Sequence, residues 1–411
     1  MTEKRRYNFL IFASAFLWII MTGSKNVYTA ELVEIMQVFS VSKAETSLAM
    51  TYYFITYSTT QVIFFFTMDK INIKWYMAIS IFLSGIVTVL VALVTGMWQL
   101  WWLLSLNGIL QAGVWGMCLA VFNKYLPKNM HPKANTAMNV GMAVAGIISY
   151  GSSSLFVSFG RWDLPFIILG IILSLSAIIY FIAIMLCENI KRATIKAETV
   201  TAVKTENLNL PFMLETKNKK ALFYIVTFIL SLFIHSVYYA TLNWLPNLIT
   251  ENYGLENSIS ILISVLAPLA TMLGPVIAIN HCEKSGNFIK VGLIYLVIAT
   301  VFAFLRIFLF DINLIVALIV IMVFLILAQA LITIIFSVIS YKMSSFINAG
   351  AHAGLMNAAG GYAAGLSPTI IGAIIDATSW QFSCTLICII TATIAVSALI
   401  ILLLTNKKKH V

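Results

Sequence analysis

Lys25 restricts the possible chemistry of this chain more than any other residue. About sixteen largely apolar residues precede it. An ammonium so deep in an apolar run costs several kcal/mol unless it is paired or hydrated, so it marks a functional site by default. A lone cation there attracts one carboxylate or a similar monoanion. The competing reading is a salt bridge with Glu31 or Glu34, about two turns further along the same segment.

Other polar residues recur at helical spacing. His235, Tyr238, Tyr239 and Asn243 fall on overlapping faces of one segment. Tyr53, Tyr57 and Gln61 follow at intervals of four, as do Asn107, Gln111 and Trp115. Such stripes face protein or water in a membrane helix. They read either as interhelical hydrogen bonding or as the lining of a small-molecule site. His235 and His352 have the side chain that titrates near neutral pH, although a buried histidine with satisfied nitrogens is the commoner case. Arg306 stands toward the outer end of its segment, placed to snorkel or to pair with Asp311.

No constellation supports catalysis. A glycine loop ending in Lys-Ser/Thr is absent, which argues against primary ATP-driven transport. His-Glu-x-x-His and Gly-x-Ser-x-Gly are absent too, and there is no conduction-filter pattern. Cys384 and Cys388 share a helix face without further metal ligands, and all five cysteines read as structural. The chain is expected to be neither an enzyme nor the holder of a cofactor or metal.

The elements that position these residues follow from composition. Of 411 residues, 61% are hydrophobic and 10% charged, with a mean hydropathy of +0.97. A soluble chain averages about 45–50% apolar and about 25% charged. This chain is therefore an all-α integral membrane protein, because helices satisfy their own backbone in lipid and the alternation of a barrel is missing. Twelve apolar segments run over 8–36, 46–68, 73–95, 97–123, 134–158, 163–186, 221–249, 258–280, 287–310, 312–340, 349–375 and 381–404. The first is read as a retained helix and not as a signal peptide, since its apolar run continues past Lys25.

The net charge of +10 lies in loops, which excludes a nucleic-acid face. Lys4, Arg5, Arg6, Lys70, Lys74, Lys124, Lys128, Lys133, Lys284, Lys290, Lys342 and Lys407 to Lys409 collect on one side. The other side carries Glu31, Glu34, Glu45, Asp163, Glu251, Glu256, Asp311 and Asp376, with only Lys43 and Arg161 among the bases. The asymmetry predicts a multi-pass protein of the cytoplasmic membrane with both termini cytoplasmic. A polar connection at 187–220 separates a six-helix half at 1–186 from another at 221–411. Met138-Asn139 and Met356-Asn357, each followed by glycines, lie 218 residues apart. Phe39-Ser40-Val41 and Tyr253-Gly254-Leu255 lie 214 apart, as expected for two bundles related by a pseudo-twofold axis. This offset makes Lys25 and Tyr239 equivalent, facing each other across a pocket.

The sequence resembles the major facilitator superfamily. Asp69-Lys70-Ile71-Asn72-Ile73-Lys74 is similar to the family's loop signature between spans two and three, with Phe65 and Asn72 where the signature has glycines. The resemblance implies a cytoplasmic gate built from Asp69, Lys70 and Lys74. Asn123-Lys124-Tyr125-Leu126-Pro127 with Lys133, and the stretch from Ala349 through His352, Asn357, Gly360, Gly361 and Pro368 to Asp376 and Trp380, also resemble the family. Within it, the organic-phosphate antiporters and anion:cation symporters look nearest. Ser24-Lys25-Asn26 stands where they place charged substrate-binding residues, and Leu242-Asn243-Trp244-Leu245-Pro246 and Asn139-Val140-Gly141 look like the antiporters. Their phosphate-gripping arginines would fall near Ser24 and Tyr238, their histidine near Met138, and the symporters' proton-carrying aspartate at Ser24.

The resulting expectation is a monomeric secondary transporter of a small organic anion, a carboxylate or sugar acid, working by alternating access. Lys25, Asn26, Tyr53, Tyr57, Gln111, Trp115, Asn139, His235, Tyr238, Tyr239, Asn243 and Asn357 are the candidate binding residues. A coupling proton, ion or counter-transported anion would drive it. The alternatives are efflux of amphipathic compounds, organic-phosphate antiport and a solute receptor that transports nothing.

Overall fold

A computed structural model describes residues 3–67, 71–194, 217–309, 313–343, 347 and 349–407. Asp69, Lys70, Asp311 and residues 195–216 of the expected linker lie outside them. Among the described residues there are helices and turns but no strand.

Each apolar segment is one helix or a broken one. α1 (Glu3–Ala30) and α2 (Leu32–Phe39) form the first span, α3 (Lys43–Thr67) the second and α4 (Ile73–Val91) the third. α5 (Met97–Gln111) and α6 (Val114–Tyr125) share the fourth; α7 (His131–Val157) and α8 (Leu164–Thr194) follow. α9 (Lys217–Asn243) with α10 (Leu245–Tyr253) forms the seventh. α11 (Asn257–Ser264), α12 (Leu266–Thr271) and α13 (Leu273–Ser285) form the eighth, and α14 (Phe288–Leu309) the ninth. The tenth is α15 (Leu314–Thr333), a π-helical turn at Ile334–Val338 and α16 (Ile339–Lys342). α17 (Ala349–Ala377) and α18 (Trp380–Lys407) complete the twelve. Ten described helical stretches are long and apolar enough to cross a bilayer.

The breaks have local causes. Gly113 takes φ 78° between α5 and α6, and a β-carbon there would meet the Phe64 ring at 2.9 Å. Pro246 sits in the first turn of α10, where its missing N–H costs nothing, and so marks the restart after Asn243. Pro368 is tolerated inside α17, and its carbonyl accepts a bond from the buried Trp244 indole at 2.8 Å.

The chain divides into two compact units. The first comprises Met1–Val41, Tyr52–Lys204 and Asn257–Val265. Its helices approach closely where side chains vanish: a β-carbon on Gly85 of α4 would lie 2.6 Å from the Gly170 carbonyl of α8. Lipid supplies no hydrophobic force between helices, so such contacts gain their energy from close packing. Gly141 of α7 packs against Ile19 of α1 in the same way, at 3.0 Å.

The second unit comprises Ser42–Thr51, Thr205–Glu256 and Leu266–Val411. α9 packs on α17 and α14 on α15 and α18. Lys43 reaches Glu251 at 3.0 Å and Asp376 at 3.4 Å, and the Trp380 indole donates to Glu251 at 2.8 Å. This cluster ties the start of α3 to α10, α17 and α18 within the unit.

Candidate functional site

Lys25 lies partly buried within α1 with its Nζ 5.4 Å from the centre of the Phe54 ring. None of the ion pairs among the described residues includes it. The acids proposed as its structural partners are elsewhere: Glu34 accepts from the Asn257 amide at 2.5 Å, and Glu31 is sealed in the protein interior. A cation over an aromatic face gains about 0.5–2 kcal/mol, more when dry. That contact leaves its three donors unpaired with any of the described carboxylates.

From Phe54 a continuous array runs inward. Phe54 meets Tyr53 edge-on at 5.0 Å, and Tyr53 stacks on Tyr57 at 5.9 Å. The Tyr53 hydroxyl donates to Gln111 Oε1 at 2.7 Å. Gln111 then donates to Ser84 Oγ at 2.9 Å and Asn107 Oδ1 at 3.2 Å, and Asn107 donates to Thr88 at 3.2 Å. Buried polar groups saturated in this way are rigid. Gln111 therefore orients Tyr53, whose ring meets that of Phe54, the ring beneath Lys25. Trp115 packs against Trp18 of α1 at 4.9 Å. Ser84 and Thr88 were not singled out from sequence, although two hydroxyls four apart in the apolar α4 are a readable signal. Asn26 is partly buried, while Asn139 is exposed on α7 with its amide on the Asn135 carbonyl, outside the array.

In the second unit His235 is buried, with Nδ1 donating to the Ser231 carbonyl at 2.8 Å. Its ring stacks on Tyr239 at 6.1 Å, and Tyr239 meets Tyr238 at 5.1 Å. Gly360 of α17 makes room for it, because a β-carbon there would stand 2.8 Å from His235 Nε2. Asn243 is buried at the end of α9, and Asn357 is partly buried on α17. His352 is fully buried between the hydroxyls of Ser340, at 2.8 Å, and Thr227, at 3.3 Å. Both histidines thus have near partners, as the ordinary buried-histidine reading requires.

Arg306 departs from the expectation of a snorkelling side chain. It is 5% exposed, donates to Thr241 at 3.0 Å and lies over Phe324 at 5.6 Å. Packing of α14 against α15 and α18 turns it inward.

Of the gate residues, Lys74 pairs with Glu188 of α8 at 2.7 Å. The pair lines a cavity of about 490 Å³ together with Asn72, Lys124 and Tyr125.

The sequence matches the Major Facilitator Superfamily across residues 9–344, and the chain belongs to that family. No curated protein matches it. Among solved structures, it is similar to a bacterial homologue of the human lysosomal transporter Spinster, with a TM-score of 0.69 and 16% identity over 97% of this chain and 95% of that one. It is also similar to the nucleoside transporter NupG (TM-score 0.66, 16% identity, 97% of this chain and 98% of that one covered). A D-xylose-proton symporter gives a TM-score of 0.67 at 12% identity, with 96% of each chain covered. The protein is accordingly a multi-pass secondary transporter and not an enzyme.

Proposed function

We propose that this transporter moves a small organic anion, a carboxylate or sugar acid, across the cytoplasmic membrane by alternating access, with both termini in the cytoplasm. The observation that carries the reading is Lys25: a partly buried ammonium inside α1, held over Phe54 and joined to none of the described carboxylates. A membrane-embedded cation without a structural counter-ion is suited to a counter-ion that arrives and leaves. Tyr53 and Tyr57, oriented by Gln111, with Asn26 and Trp115 form the selecting surface in the first unit. Asn139, Asn357, His235, Tyr238, Tyr239 and Asn243 are proposed to complete the recognition. The halves 1–186 and 221–411, joined by 187–220, are the moving parts, and Lys74 with Asp69 and Lys70 forms the gate.

Counterflow into proteoliposomes against carboxylates, sugar acids, phosphate esters and amphipathic cations tests this. Exchange of carboxylates or sugar acids, strongly weakened in Lys25→Ala, is the expected result. Efficient exchange of phosphate esters would return the protein to organophosphate antiport. The second reading, efflux of amphipathic compounds, is favoured by the run of aromatics at Trp18, Tyr53, Phe54, Tyr57 and Trp115. It would be established by cation transport that survives Lys25→Ala.

A further inference from the structure

Glu31 occupies the turn between α1 and α2, within the first span, and its side chain has no exposure to solvent. The main chain there is satisfied in both directions: Glu31 N–H donates to the Val27 carbonyl and Ile35 N–H to that of Glu31, each at 3.0 Å. The orphaned groups are the two carboxyl oxygens, which are buried without a hydrogen-bond partner.

None of the ion pairs among the described residues includes Glu31. On α2 stands Glu34, bound by Asn257 of α11. Ahead of α8 stands Asp163, whose charge is matched by Arg161 at 2.7 and 2.8 Å. Both acids bear on Glu31 as negative neighbours. α7 contributes Ser153, whose buried hydroxyl bears on the Glu31 carboxyl. On α1, six residues earlier, stands Lys25, which sits over Phe54. Neither Lys25 nor Arg161 lies within ion-pair distance of Glu31. An ionised carboxylate sealed from water carries a large desolvation cost, and a proton on one of its oxygens removes that cost. A buried acid that enters none of the ion pairs among the described residues makes no structural contact that Gln would not make equally well.

We propose that Glu31 is the residue that binds the coupling proton. The proton enters from water onto one carboxyl oxygen, is carried there while the side chain is sealed, and leaves the carboxylate behind when the turn between α1 and α2 is wetted. The assignment rests on the transport reading above and names its driving ion.

Infrared spectroscopy of the purified transporter in lipid, with protons and deuterons as the only probes, tests the site directly. A carbonyl stretch of a buried protonated carboxylic acid at neutral pH, missing in Glu31→Gln and shifted but retained in Glu31→Asp, is the expected result. A wild-type spectrum without the band, or a band that survives Glu31→Gln, overturns the proposal. Gln mimics the neutral acid in shape, and the Asp variant keeps the test open if the amide fails to fold. In vesicles, an imposed pH gradient should drive gluconate accumulation by the wild type, while Glu31→Gln exchanges gluconate yet only equilibrates it. Gradient-driven accumulation by Glu31→Gln equal to wild type contradicts the assignment. A wild type that exchanges nothing sinks the transport reading instead, and the infrared band still decides the proton site.

Discussion

The two compact units treat their buried polar groups differently. In the first, Tyr53, Gln111, Asn107, Ser84 and Thr88 bond to one another across α3, α4 and α5, and Lys25 is left over an aromatic ring. In the second, His235 and His352 have near hydroxyl or carbonyl partners, and the buried cation, Arg306, bonds to Thr241. Both units therefore contain a cation in an apolar setting. Neither joins a described carboxylate; the arginine is 5% exposed with its Nε unpartnered, whereas the lysine keeps more exposure. An enclosed cation stiffens a bundle; a partly exposed one can exchange its counter-ion.

The largest effect expected from this contrast is at Lys25. Lys25→Ala should weaken carboxylate affinity by about 10–100-fold, the loss of one charge-assisted contact worth about 1.5–3 kcal/mol, read as the half-saturation of counterflow. Arg306→Leu should leave that affinity unchanged, and an equal loss there would break the comparison. Next comes Gly360→Ala, which drives a β-carbon into the His235 ring. Overpacking of this kind costs about 1–3 kcal/mol, seen as a lower unfolding temperature in detergent. Gly151→Ala in the first unit meets nothing within 4 Å and serves as the neutral control. Tyr53→Phe removes the bond to Gln111, for which membrane proteins show about 0.6–1.7 kcal/mol; thermal unfolding should register it, with altered solute preference as Tyr57 loses its fixed neighbour. The smallest loss is expected for Lys43→Ala, about 0.2–1 kcal/mol for a half-exposed cluster, visible as faster proteolysis at the ends of α10 and α17.

Twelve apolar stretches were legible because the bilayer imposes a length and forbids unpaired backbone, so hydropathy alone locates α4, α8 and α14. The break at Gly113 was not, since a positive φ depends on the Phe64 ring packed beside it. Spacing of four placed Tyr53 with Tyr57 and Asn107 with Gln111 on shared faces. It could not tell that the two faces meet, because cross-helix contact has no period in the sequence. Glu31 and Arg306 show the same boundary from the other side. Their positions near segment ends favour a wet, loop-like reading, and only the packing of α7, α11 and α18 reveals that they are enclosed. Asn139, a match by motif, lies exposed on α7 with its amide on the Asn135 carbonyl.

The central claim, that Lys25 is a counter-ion to the cargo, is tested most directly by comparing a transported carboxylate with its uncharged amide. Binding to purified wild type and to Lys25→Gln should be measured side by side. Strong preference for the carboxylate is expected in the wild type, with the same weak affinity for both compounds in the variant. A preference for the carboxylate that persists undiminished in Lys25→Gln would contradict it.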